Sequence, residues 1–200
     1  MTFSIRDLEA FQRKRLEQTY ADFVTLPHYG PTCDFFFGAI YSGKDSQERD
    51  AAFVDFYKTI QRMVGGDIAR CLRDMIDLQL LTRDLDLALH QKIVALACPM
   101  PLSMDDYEMA YAACDNYEPR LQQIHLLVDT LVLANRIFHR FGIGTGLKAL
   151  HAFHRLKGDD LITGFLLEGY DAIRAPRKIQ NLIDAIQKRE LERLNRIFGR

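Results

Sequence analysis

Residues 34–45 read DFFFGAIYSGKD and hold three consecutive phenylalanines and a tyrosine. Neighbouring side chains on a helix are about 100° apart around its axis, so the three phenylalanines cannot all face one way. At least two faces of the segment must therefore be covered by other parts of the chain. We expect a short helix wedged between longer ones, and its apolar pairs at spacing four are Phe36 with Ile40 and Phe37 with Tyr41. Core packing is the ordinary role of such a cluster, and a ligand-pocket lining is the alternative.

On both sides of this segment, apolar residues recur every three to four positions, which is the spacing of one helix face. Ser4 and Ser103 each stand three residues before an aspartate, a pattern typical of helix starts. No period-two run of β-branched residues indicates a strand. The sequence predicts an all-α fold, a single domain of residues 1–200 built as a bundle of about seven to nine helices. The further predicted helices cover residues 5–24, 45–65, 67–97, 103–117, 120–141, 147–157, 161–174 and 176–198.

The longest helical pattern, residues 67–97, is apolar nearly all the way round. A helix of this kind belongs in the middle of a bundle. Its charged residues can pair along the helix at spacing three or four, for example Arg70 with Asp74, which indicates a structural network rather than a site.

Two glycine- or proline-bearing stretches interrupt the helical pattern. Residues 25–33 contain Pro27, Gly30 and Pro31, which predicts a turn without regular structure. Residues 142–146 have glycine at every second position and predict a helix-breaking loop. A phosphate site on that loop is the weaker alternative, because the spacing and the preceding strand of a dinucleotide-binding fingerprint are absent.

Charge and composition exclude several classes of protein. The 200 residues carry 26 Lys and Arg against 27 Asp and Glu, a net charge of −1, so no overall field attracts nucleic acid. We therefore expect no nucleic-acid partner. The cluster Arg13-Lys14-Arg15 and the run Lys188-Arg189-Glu190 are predicted to lie on solvated, outward surfaces.

The sequence also bears on location. No signal-peptide pattern opens the chain, and no uncharged apolar run reaches the length of a membrane span. The four cysteines, at 33, 71, 98 and 114, show no CxxC spacing and suit reduced, mostly buried thiols. We therefore expect a cytoplasmic protein.

Histidines are the main candidates for a metal site. His151 and His154 share one helix face and could hold one arm of a zinc, iron or haem site, with His125 and His139 as further candidates. No Glu-x-x-His pair of the di-iron type is present, and Arg155 and Lys157 would repel a cation. The sequence therefore predicts no metal site and no cofactor. No Gly-x-Ser-x-Gly elbow or catalytic carboxylate pair is found, so we name no catalytic residue and leave enzymatic activity open.

Several short motifs resemble those of one bacterial family. They are FFFGAIY at residues 35–41 followed by Asp45 and Arg49-Asp50, RLQQI at 120–124, LEGYDAIR at 167–174, and Arg189-Glu190 before IFG at 197–199. Together they resemble the FFLEELY-motif proteins. The resemblance implies an all-helical fold and no assigned activity. Gly38 and Ala39 replace the two acidic residues of that signature, so any chemistry of those acids would be absent here.

Two classes of function fit these patterns. The first is a non-catalytic protein that binds a protein partner or a second copy of itself, because apolar residues are more abundant than one core needs. Its expected surface is the loop at residues 27–32 with the following aromatic segment, represented by His28, Tyr29, Phe35 and Phe37, and the last helix comes second.

The alternative is a helical pocket protein or enzyme that encloses a small apolar ligand, haem or metal between its helices. The expected lining consists of Phe36, Tyr41, His125, His151 and His154.

Overall fold

Ten helices and no strand make up the described part of the computed structural model, which covers residues 3–40, 46–176 and 178–200. The all-α prediction is confirmed. The helices are α1 (Ile5–Thr19), α2 (Ala21–Val24), α3 (Gly30–Ile40), α4 (Ser46–Ile60), α5 (Gly66–Ala95), α6 (Met104–Ala113), α7 (Tyr117–Phe138), α8 (Ile143–Leu156), α9 (Leu161–Arg174) and α10 (Ile179–Phe198).

The count exceeds the predicted seven to nine because the first predicted helix is two helices. Tyr20 leaves the helical backbone conformation at φ −113°, ψ 24°, and separates α1 from α2. Its ring is buried, and its hydroxyl donates to Glu190 Oε1 at 3.0 Å. The break therefore lies where a side chain is held by a residue far away in the chain.

Helices α5 and α7 form the centre of the bundle. The 30-residue α5 packs against α1, α4, α6 and α7, and α7 packs against α5, α8, α9 and α10. The prediction that the longest helix, apolar nearly all the way round, lies in the middle of the bundle is confirmed. None of the helices in the described chain combines the length and the apolar character that crossing a membrane requires.

Local signals at helix starts are met in the structure. Ser4 forms a capping box with Asp7, and the Ser103 side chain accepts a hydrogen bond from the Asp106 backbone N–H. These side chains satisfy backbone N–H groups that have no partner within the helix. Both predicted helix starts are confirmed.

The aromatic segment belongs to a longer helix than predicted. Helix α3 begins at Gly30, so the predicted loop at 25–33 is wrong in its second half. Proline is tolerated in the first turn of a helix, because the N–H that it lacks would have no helical partner there. Pro31 occupies this place, and the next residue, Thr32, is buried and donates its hydroxyl to the Ala172 carbonyl at 2.7 Å.

The three phenylalanines of α3 point to different neighbours, as predicted. The Phe35 ring lies 5.3 Å from the ring of Phe165 of α9, and the Phe37 ring lies 5.8 Å from that of Tyr20, both measured between centroids. Phe36, which lies between Phe35 and Phe37 in the sequence, faces α5 and α7. Tyr41, the partner predicted for Phe37, lies outside the described residues.

The glycine-rich stretch before α8 interrupts the helices only at Gly142, so the predicted helix-breaking loop is wrong from residue 143 onward. Gly142 adopts a left-handed conformation with φ 83° and precedes the helix, whose first turn holds Gly144 and Gly146. A Cβ on Gly144 would overlap the Tyr170 hydroxyl. Gly144 thus permits the close approach of α8 to α9. A sequence pattern alone does not distinguish a glycine needed for helix packing from a glycine in a loop.

Candidate functional site

Two partly open cavities of similar size adjoin each other within the bundle. One, the apolar cavity, has a volume of about 120 Å³ and lies among α3, α4, α5, α7 and α9. The other, the polar cavity, has a volume of about 110 Å³ and lies among α1, α3, α5, α6, α7 and α10. The side chains that line both are Phe36, Leu78, Gln79, Leu127 and Leu131.

Aromatic rings form much of the apolar cavity. Phe165 lies between Phe35, at 5.3 Å, and Phe53, at 5.7 Å between centroids. Gly169 lines the same cavity, and a Cβ there would lie only 3.0 Å from the Phe35 ring. The small residue on α9 therefore lets an α3 ring reach the cavity wall.

Thr130 is one of two polar residues in this mainly apolar lining, and Gln79 is the other. The residue is 4% exposed, and its hydroxyl has no hydrogen-bond partner among the described residues. Helical threonines usually donate to the carbonyl one turn earlier, as Thr19 and Thr59 do here at 2.9 Å. A buried hydroxyl without a partner costs free energy, so Thr130 marks a place where a polar atom of a ligand would be stabilised.

An ion pair between the first and last long helices closes one side of the polar cavity. Arg15 of α1 donates to both carboxylate oxygens of Glu190 of α10, at 2.8 and 3.0 Å. The Tyr20 hydroxyl donates to the same carboxylate at 3.0 Å. Side-chain exposure is 9% for Arg15 and 15% for Glu190, so water contributes little screening to this pair.

A second network lies beside the first one. Asp86 of α5 accepts hydrogen bonds from Gln12 Nε2 at 3.0 Å and from Arg120 at 3.5 Å. Arg120 also donates to the Leu85 carbonyl at 2.9 Å and to Gln123 Oε1 at 3.1 Å. These bonds join α1, α5 and α7 through side chains that are almost completely buried.

The pKa values of the two carboxylates in these networks, Asp86 and Glu190, are shifted in opposite directions. Burial raises the pKa of Asp86 and outweighs the Arg120 charge and the Gln12 hydrogen bond, which lower it. Burial also acts to raise the pKa of Glu190, but the charges of Arg15 and Arg193 and the hydrogen bonds from Arg15 and Tyr20 together outweigh it, so that pKa lies below its usual value. Burial raises the pKa of the neighbouring Tyr111 to about 12. Strongly perturbed groups around one cavity are typical of functional sites.

Gln12 carries the unsatisfied acceptor of the polar cavity. The residue is 1% exposed and its Nε2 faces Asp86, but its Oε1 has no hydrogen-bond partner in the described part of the chain. The amide oxygen can therefore accept a hydrogen bond from a molecule in the cavity.

The residues predicted to line a ligand pocket are not brought together. Phe36 lines both cavities, whereas His125 lies in a shallow surface depression of α7 with Glu118 and Asp129. His151 Nδ1 lies 3.2 Å from Thr163 Oγ1. The remaining two are His154, whose Nδ1 lies 2.9 Å from the Asp159 carbonyl oxygen, and Tyr41, which is outside the described residues. Within the described ranges, no three His, Cys, Asp or Glu side chains are arranged to hold a metal ion.

The residues predicted to form an interaction surface also have mixed positions. His28 is exposed, but the Tyr29 hydroxyl donates to the Lys178 carbonyl at 2.8 Å. Phe35 lines the apolar cavity, and Phe37 is 5% exposed. Phe37 is unsuited to contact a partner, because its position in α3 directs it to the core.

The charged residues of the polar cavity were not recognised as site residues from the sequence. The predictions that Arg15 and Glu190 face outward are wrong, because the two side chains form an ion pair and are largely buried. The helical spacing of Leu8, Gln12 and Arg15 places all three on one face, and this signal was available. The pairing of Asp86 with Arg120, which belong to different helices, had no comparable signal.

Comparison with known proteins assigns the family and no activity. The chain belongs to the family described as a domain of unknown function, DUF8198, whose model matches residues 2–200. No significant match is found among curated proteins or among solved structures.

Proposed function

We propose that this member of a family without an assigned activity binds a small, mainly apolar molecule in the apolar cavity. The observation that carries the proposal is the unpaired Thr130 hydroxyl in a mainly apolar lining. A residue that served only packing would be more stable as an apolar side chain of the same shape. A ligand with a polar atom beside Thr130 would satisfy the hydroxyl and fill the space beside the rings.

The cavity volume limits the size of the ligand. An enclosed apolar space of about 150 Å³ can hold a benzene-sized molecule. The apolar cavity, at about 120 Å³, is close to this value, and the adjoining polar cavity adds space beyond it. A single aromatic ring or a short branched chain is therefore the expected ligand body.

Methionine methyl NMR tests this proposal with phenol and toluene as probes. Met75 lines the apolar cavity, whereas Met109 is half exposed on α6 and serves as an internal control. We expect saturable shifts of the Met75 methyl with both probes and none of Met109. Thr130→Val should weaken phenol several-fold and leave toluene nearly unchanged.

A blocked variant provides the matched control. Ala134 is 1% exposed and lines the apolar cavity, so Ala134→Leu should fill it and abolish the Met75 response. Ala149→Leu, at an exposed position of α8, should leave the response unchanged. Absence of any saturable Met75 response in the unaltered protein would overturn the proposal.

A cytoplasmic location forms part of the proposal. All four cysteines are free thiols, as expected in a reducing compartment. Burial raises the pKa of Cys33 to about 11 and that of Cys71 to about 12, so these thiols are poorly reactive. Fractionation of the source cells, with detection of the protein in the cytosolic fraction, tests this point.

Self-association is a second candidate function, supported by an exposed apolar surface. A groove beside α4, α8 and α9 combines polar residues such as Asp55 with apolar side chains that include Met63, 82% exposed, and Phe153, 51% exposed. We propose a second copy of the chain as its occupant, since an apolar patch matches itself across a two-fold axis.

Light scattering over a range of concentrations tests self-association. The expected result is a mass above 23.1 kDa that falls to the monomer value in Met63→Lys with Phe153→Lys. Met109→Lys, which alters an exposed methionine on α6, should leave the mass unchanged. A monomer at every concentration would refute this candidate.

A further inference from the structure

The two cavities together define a site with an apolar part and a polar part. They share five lining side chains, so a molecule held in one reaches the boundary of the other. The apolar part is closed by aromatic rings, and the polar part by arginines, glutamines and tyrosines. This arrangement fits an amphipathic molecule better than a wholly apolar one.

The charges of the polar cavity compensate one another. Arg15 pairs with Glu190 at 2.8 Å, and Arg120 with Asp86 at 3.5 Å. The third arginine of the lining, Arg193, lies 3.3 Å from a carboxylate oxygen of Glu108. Each arginine of the lining is thus already paired with a carboxylate, and Glu108 also accepts hydrogen bonds from Arg196, which lies largely in solvent. An ionic ligand group would bring an unbalanced charge into a buried space, which costs far more than burying a neutral group.

Gln12 gives the polar cavity an unsatisfied acceptor. Gln12 Oε1 is buried without a partner, while Gln12 Nε2 already donates to Asp86 at 3.0 Å. Only a hydrogen-bond donor on the ligand can satisfy that oxygen. An ether or carbonyl oxygen at this position would leave Oε1 unpaired.

We infer that the ligand is a neutral amphiphile, with its apolar body in the apolar cavity and a hydroxyl or N–H group that donates to Gln12 Oε1. This inference rests on the proposed binding function and specifies the chemical class of the ligand. Alcohols and primary amides with an aromatic or short aliphatic body belong to this class; carboxylates, phosphates and ammonium ions do not.

Affinity measurements on matched probes test the inference. The probes are propylbenzene, 3-phenylpropanol, its methyl ether, 3-phenylpropanoate and 3-phenylpropylamine, titrated against the Met75 methyl signal. We expect the alcohol to bind roughly tenfold more tightly than the hydrocarbon and the ether, and both ions to bind more weakly than the alcohol. Alcohols with shorter and longer chains should show the largest advantage over their hydrocarbons at one chain length.

Substitution of Gln12 identifies the acceptor. Gln12→Met should reduce the alcohol-to-hydrocarbon affinity ratio to about one. Gln123→Met is the matched control, because Gln123 Oε1 in the same cavity already accepts from Arg120, and the ratio should be retained. The comparison of alcohol with ether in the unaltered protein gives the same test if Gln12→Met does not fold.

The outcomes separate this inference from the proposed function. Binding of propylbenzene with no preference for the alcohol, or a preference that survives in a folded Gln12→Met variant, would overturn the inference alone. Tighter binding of either ion than of the alcohol would also overturn it. Failure of every probe to bind would overturn the proposed function as well.

Discussion

The two cavities share α3, α5 and α7 but are held open by different interactions. Around the apolar cavity, the rings of Phe35, Phe53 and Phe165 contact one another without directional bonds. Around the polar cavity, Arg15 and Arg120 are fixed by hydrogen bonds to carboxylates on other helices. Ring packing depends on volume, whereas a buried ion pair depends on both partners. Removal of one side chain should therefore change the stability of the protein by different amounts at the apolar cavity and at the polar cavity.

The largest effect is expected from breaking the Arg15 ion pair. Arg15→Met leaves the Glu190 carboxylate in a buried site without its cation, which should lower the free energy of unfolding by about 3 kcal/mol. Urea unfolding at pH 7 measures this loss.

Arg13→Met is the control on the same helix. Arg13 pairs with Glu17 at 3.0 Å, but both side chains are nearly half exposed, so the expected loss is only about 0.3–0.5 kcal/mol. The double variant Arg15→Met with Glu190→Met should recover much of the stability, since neither charge is then left alone. Equal losses in Arg15→Met and Arg13→Met would show that the buried ion pair stabilises the protein no more than the surface pair does.

This contrast also explains what could be predicted from the sequence. Helix α9 was predicted with its observed bounds, Leu161–Arg174, because apolar spacing and flanking residues are local signals. Arg15 and Glu190 are 175 positions apart, and only the fold that brings α1 and α10 to the same cavity makes their burial possible. A charged residue is predicted to be exposed unless its partner is known.

The apolar side was more accessible to sequence reasoning than the polar side. Phe36 was named as a pocket residue, since three consecutive phenylalanines require more than one covered face. Gln12 and Thr130 were not named, because an unsatisfied polar atom is recognised only when its neighbours are seen. Local patterns thus predicted the packing framework, whereas the functional groups depend on contacts between distant helices.

The next effect concerns the free energy of unfolding in acid, on which the two buried carboxylates should act in opposite directions. The folded-state pKa of Glu190 lies below its ordinary value of 4.5, so its stabilising charge is present above pH 4.5 and lost as the pH falls through the folded-state pKa. The pKa of Asp86 is raised above 3.8, so its proton is bound more tightly in the fold and stability is gained as the pH falls.

Urea midpoints between pH 3 and pH 7 measure this difference. Glu190→Gln should make the loss of stability in acid shallower, and Asp86→Asn should make it steeper, each by at most about 1.4 kcal/mol per pH unit. Unaltered slopes in both variants would mean that neither carboxylate changes its pKa on folding. Slopes changed in the same direction would contradict the opposite shifts.

The smallest effect compares two buried threonines and should differ in sign. The Thr130 hydroxyl has no partner, so Thr130→Val should raise the free energy of unfolding by about 1 kcal/mol. The Thr32 hydroxyl donates to the Ala172 carbonyl at 2.7 Å, so Thr32→Val should lower it by about 1 kcal/mol. Both substitutions keep a β-branched side chain in a helix, and unfolding in urea without added ligand measures each. If both were destabilising by the same amount, Thr130 would have a partner in the free protein, and the argument from its unpaired hydroxyl would fail. A gain in stability together with weaker phenol binding would show that the hydroxyl costs stability and serves recognition, a trade expected at binding sites.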